Sequence, residues 1–162
     1  THAKRDKCCA VKGRPLAAEL VEDYPDMVWE TSHTKGHRFA PSVMLMPWAY
    51  SFGRMNKEAA AQMIAAAAKG KYFYPVNRGR GIFGPRGQVA ELAVARALID
   101  AGEELSYGQL TATDSGEVSH IDGRRWRVTL EEREVEGVVS SCGDAPKKGQ
   151  AIVATGVEPV AG

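Results

Sequence analysis

The sequence predicts an α/β fold, on three observations. The run Ala59 to Ala68 is almost entirely alanine and has the propensity of a helix. A second run, from about Gln88 to Ala101, sets Val89, Leu92, Ala93, Leu98 and Ile99, with the stem of Arg96, on what reads as an inward helical face. Arg125 to Val135 instead alternates Trp126, Val128 and Leu130 with charged neighbours, the two-residue period of a half-buried strand.

The remaining elements follow in order. Thr1 to Lys12 is polar and reads as a loop, apart from Cys8 and Cys9. Gly13-Arg14-Pro15 opens a helix, because proline suits a first helical position where its missing N–H is not needed. Leu16, Leu20 and Val21 continue it until Tyr24-Pro25-Asp26. Met27 to Glu30 reads as a short strand, and Val43 to Met55 as a strand pair bent around Pro47. Asn56 is a candidate N-cap for the alanine-rich helix, which Lys69-Gly70 closes. Lys71 to Gly87 is a basic, glycine-rich connection, and Gly102 stops the second long helix. Leu105 to Thr113 and Val118 to Ile121 read as strands, Asp122-Gly123 as a hairpin turn, and residues 143–162 as loop or edge strand. With one further strand expected ahead of Thr1, this order fits a thioredoxin-like α/β sandwich with a mixed sheet. Residues 1–162 read as a single such domain, shortened at its N-terminus.

Composition narrows the function. With 21 basic and 20 acidic residues, the chain has no bulk charge to drive binding to nucleic acid. No apolar run approaches the ~20 residues that span a bilayer. Three cysteines, Cys8, Cys9 and Cys142, make an odd and poor disulfide framework, so thiols kept for ligation or chemistry in a reducing, cytoplasmic compartment are expected.

Two segments carry candidate chemistry. His33 and His37, four residues apart, can meet one metal centre from a tight loop. Gly36 lets the backbone turn close to a cofactor, and Arg38 offers positive charge to an anionic centre. Thr34 follows His33 where a zinc protease has its glutamate, so that chemistry is excluded. The blander alternative is a pair of structural histidines. Cys8-Cys9 lies among Lys4, Arg5, Lys7 and Lys12, which favour thiolate; its blander alternative is two small buried side chains. Cys142 reads as structural. Gly79-Arg80-Gly81-Ile82-Phe83-Gly84 has the letters of a dinucleotide loop, yet Pro75 and Pro85 spoil the strand and helix such a loop joins. Arg78, Arg80 and Arg86 there read as a solvated basic loop.

The stretches Arg5-Asp6-Lys7-Cys8-Cys9-Ala10-Val11-Lys12-Gly13-Arg14-Pro15 and Trp29-Glu30-Thr31-Ser32-His33-Thr34-Lys35-Gly36-His37-Arg38-Phe39-Ala40-Pro41 strongly resemble the sucrase/ferredoxin-like family. The likeness continues at Tyr50 to Arg54, Gly123 to Trp126 and Ser141 to Lys147. The resemblance implies a thioredoxin-like ferredoxin holding a [2Fe–2S] cluster with two cysteines and two histidines. Cys9, His33 and His37 match three of those ligands. The first cysteine falls one position before Thr1, and Lys35 replaces a glycine of the histidine motif. The implied function is one-electron transfer with an unidentified redox partner protein. Imidazole ligation raises the reduction potential and lets a proton follow the electron. Two alternatives stand beside it: a cluster-free thioredoxin-like interaction domain, and a mononuclear zinc site on His33, His37 and Cys9.

Overall fold

The structure, a computed structural model, describes residues 7–32, 34 and 36–161, the His37 side chain excepted. The α/β class is borne out. Three helices, α1 (Lys7–Asp23), α2 (Lys57–Ala68) and α3 (Pro85–Asp100), combine with two sheets. The first sheet has the order β1 (Ser42–Leu45), β2 (Tyr50–Gly53), β3 (Asn77–Arg80). The second is a meander of β4 (Leu110–Ala112), β5 (Glu117–His120), β6 (Arg125–Val138) and β7 (Lys147–Pro159). Every ladder among the described residues is antiparallel rather than mixed, which the short connections allow, since hairpins need only a few residues and parallel crossovers a dozen or more.

Each sheet has its own core. Leu16 and Leu20 of α1 and Ala60 and Met63 of α2 close over Tyr50, Phe52, Phe73 and Tyr107. Ala90, Val94, Ala95 and Leu98 of α3 close over Leu110, Val118, Trp126 and Val128. α3 also touches β3, so it belongs to both halves. Its buried face, Gly87, Ala90, Glu91, Val94, Ala95 and Leu98, shares Leu98 with the expected face; the other expected positions, Val89, Leu92, Ala93, Arg96 and Ile99, lie beside it, and Arg96 is exposed. Small residues win the buried side because they let a helix backbone approach a sheet closely, which the larger aliphatics at 89, 92 and 99 do not.

Several local expectations are corrected. α1 is already helical at Lys7 rather than opening near Pro15, so both vicinal cysteines are helical and Pro15 lies inside the helix. The proline removes one backbone hydrogen bond there, and it sits on the exposed side. Met27 to Glu30 forms no strand. Trp29 is 85% exposed, and a strand with no partner and no covered face has nothing to hold it. The basic connection contains β3, and the chain after Lys147 forms the long edge strand β7.

The alanine-rich helix is as expected. Asn56 is extended (φ −108°, ψ 177°) and its side-chain oxygen accepts from the Ala59 amide at 2.9 Å. Asn56→Ala should lower stability by about 1 kcal/mol, measured as a shift in urea midpoint at unchanged slope; Asn56→Asp should keep most of it.

Candidate functional site

The candidate residues fall on α1, in the loop between α1 and β1, and at the ends of β2 and β3. α1 carries Cys8 and Cys9, both half-buried. Cys8 is bonded to Cys142, with Cα atoms 5.8 Å apart. This overturns the reading of the three cysteines as a poor disulfide framework: Cys142 lies at the tip of the β6–β7 hairpin, and the long hairpin carries it back to the start of the chain, 134 residues away in sequence. Cys9 lies outside this bond.

His33 and Lys35 lie outside the described residues, as does the His37 side chain. His37 opens a single 3-10 turn, His37–Phe39. Among the described residues no group of three His, Cys, Asp or Glu side chains is placed to hold a metal. Gly36 has φ +71°, a left-handed conformation open to glycine at little cost. Its carbonyl accepts from the Phe39 amide at 2.9 Å and from Ser42 Oγ at 3.3 Å. A Cβ at Gly36 would stand 2.5 Å from Arg78 Nη1. The group packed closest at this glycine is the Arg78 guanidinium.

Arg38, the other predicted cofactor contact, stands with its guanidinium carbon 4.6 Å from the Phe39 ring centroid. Arg78 lies over the same ring at 4.1 Å and Arg54 at 5.9 Å. Gly53 makes room for this stack, because a Cβ there would meet Phe39 Cβ at 2.7 Å and Arg78 Cδ at 3.0 Å. The Arg54 amide donates to the Phe39 carbonyl at 2.8 Å. Desolvation, then the neighbouring Arg38 charge, holds the Arg78 guanidinium below its usual range. Sequence reading grouped Arg78 with Arg80 and Arg86 by proximity along the chain; the structure separates them. Arg80 Nε donates to the Trp48 carbonyl at 2.9 Å, and Arg86 Nε to the Asp114 carbonyl at 3.1 Å.

The glycine-rich stretch does run from a strand into a helix, β3 into α3. It still cannot cradle a phosphate. Asp114 Oδ1 accepts from the Gly87 amide at 2.7 Å, and a Cβ at Gly84 would meet the Asp114 carboxylate. The protein's own carboxylate thus occupies the positive end of α3 that a phosphate would need.

Below the site is a buried polar cluster that sequence reading missed. Glu91 of α3 is fully buried and accepts a hydrogen bond from the Tyr50 hydroxyl of β2. Burial pushes its carboxyl up to about 7, against the opposing pull of Tyr50 and of the Arg80 backbone and side chain. Desolvation raises Tyr50 further above its ordinary value, and Tyr107 to about 12. Tyr50 packs edge-on to Tyr72 at 5.3 Å, and Tyr107 stacks on Trp48 at 5.0 Å.

The fold is a mixed α/β domain that carries a cysteine pair on α1 and an arginine group around Phe39. Residues 1–79 match the model of the sucrase/ferredoxin-like family. The match takes in α1, the histidine loop, β1, β2 and α2, and ends within β3; the stretches around Trp126 and Cys142 lie beyond it. No curated protein and no solved structure matches the chain. No helix among the described residues is long and apolar enough to cross a membrane.

Proposed function

We propose that this domain is a one-electron carrier whose [2Fe–2S] cluster is held by Cys9, His33 and His37 together with a cysteine preceding Thr1. The observation that carries the reading is that Cys9, His33 and His37 all lie within the segment similar to the sucrase/ferredoxin-like family. The chemistry of the donor set fits the group: thiolate and neutral imidazole are the ligands such a cluster takes. A bound cluster would supply a reversible one-electron couple, raised in potential by its imidazole ligands. The protein's own residues would anchor it, keep Arg38 beside it and present it to a redox partner protein.

The test is an anaerobic preparation carrying the codons before Thr1. About two irons and two sulfides per chain, with visible absorbance, are expected. Cys9→Ser and His33→Ala should each abolish both. Colourless, iron-free protein would reject the cluster and favour an interaction domain; one zinc in its place would favour a mononuclear site.

A further inference from the structure

We propose that Arg38, Arg54 and Arg78, gathered around Phe39, form a binding site for a phosphate-type oxyanion. The three guanidinium carbons lie 4.6, 5.9 and 4.1 Å from one ring centroid. Any two are therefore separated by no more than about a Debye length at 0.1 M salt, roughly 10 Å, so their mutual repulsion is poorly screened. Elsewhere five arginines are neutralised by a carboxylate, while Arg14, Arg80 and Arg125 are not among the described ion pairs. Arg86, Arg96, Arg124, Arg127 and Arg133 each hold a carboxylate within 4 Å. Among the described residues no carboxylate does so for Arg38, Arg54 or Arg78. Arg78 is half-buried as well, which removes part of the hydration that would otherwise offset the repulsion.

The ring holds the three cations against their repulsion through its electron-rich face. Gly36 and Gly53 supply the space that lets Arg78 lie there, since a Cβ at either would collide with it or with Phe39. The arrangement is costly unless an anion completes it. The cluster proposed above does not. With two thiolates and two imidazoles such a centre carries about zero charge oxidised and about one negative charge reduced, leaving most of three positive charges unanswered. A phosphate group brings about −1.5 to −2 and oxygens that match the guanidinium fork. A patch of three side chains is also far smaller than the ~800 Å² each partner contributes to a standard protein interface. That favours a small phosphate-bearing ligand over a protein surface.

The inference is independent of the cluster, because its readout is heat of binding to the full chain. Isothermal titration at low salt would use inorganic phosphate, pyrophosphate and a glutamate-rich peptide in separate arms. Inorganic phosphate and pyrophosphate are both expected to bind; tighter pyrophosphate binding would identify a diphosphate ligand, and equal binding a single phosphoryl group. Arg78→Gln should weaken binding tenfold or more and Arg38→Gln about fivefold, while Arg133→Gln, whose guanidinium is already paired with Glu131, should leave it unchanged. Should Arg78→Gln disturb folding, the exposed Arg54→Gln serves in its place, with a loss of severalfold. Absence of phosphate and pyrophosphate binding, equal weakening by Arg133→Gln, or binding of the acidic peptide alone would overturn the proposal.

Discussion

Cys142→Ser should destabilise the protein by about 3–5 kcal/mol, because the bond it removes closes one of the longest loops the chain can form, Cys8 to Cys142. In the chain-entropy account a cross-link acts on the unfolded state, and its effect grows with the logarithm of the loop it closes. The measurement is guanidinium unfolding with and without reductant. The wild type should lose that amount on reduction, and Cys142→Ser should not respond. Superimposable wild-type curves in the two conditions would remove the bond from the account. The locus of the change is also expected to be specific. The outer half of the β6–β7 hairpin is largely exposed, so it depends on its tip being tied, and hydrogen exchange at residues 131–138 and 147–153 should accelerate most on reduction.

The second large effect is a pH dependence centred on Glu91. Its carboxyl is raised from the ordinary 4.5 to about 7 by burial, so between those values the folded state holds a proton that the unfolded state has released. Stability is therefore full below about pH 4.5 and falls as pH rises through about 7. The difference amounts to about 3 kcal/mol between pH 4.5 and 8 from this one group. Glu91→Gln keeps an oxygen to accept from Tyr50 and cannot ionise. It should flatten the profile and be the more stable protein at pH 8. Part of that gain will be offset, because the new amide N–H₂ takes the place of Oε2, which has no hydrogen-bond partner. Parallel profiles for wild type and Glu91→Gln from pH 5 to 8 would contradict the burial argument.

The elements that could be read from sequence were those whose signals are local. The Asn56 cap and its alanine run, the hairpin around Pro47 and the alternation at Trp126-Val128-Leu130 each state their structure within a few residues. The misreadings came where local and tertiary preferences diverge. Pro15 looks like a helix start, yet α1 passes through it because Leu16 and Leu20 have a core to join. Met27 to Glu30 looks like a strand and has no partner. For Glu91 a signal was present: it shares a helical face with Val94, Ala95 and Leu98 at spacings of three, four and seven, and a carboxylate on that face is one that needs a donor. Nothing local announces the Cys8–Cys142 pairing, since pairing cannot be deduced from spacing alone. The arginine group around Phe39 was likewise illegible as a group, because its members come from the histidine loop, the residue after β2 and the strand β3.

The bond from α1 to the hairpin tip also fixes how the molecule bears load. Everything from Cys8 to Cys142 is a covalent ring, so tension applied through the chain ends cannot extend it. Within residues 1–162, what lies outside the ring is the stretch before Cys8 and the run after Cys142, chiefly β7, which would peel from the edge of its sheet one β6 pairing at a time. Because Ala154 and Val157 of β7 pack on the α3 core, that peeling would uncover one side of it, while the core under α1 and α2 and the arginine-lined loop stay inside the ring until the sulfurs are reduced.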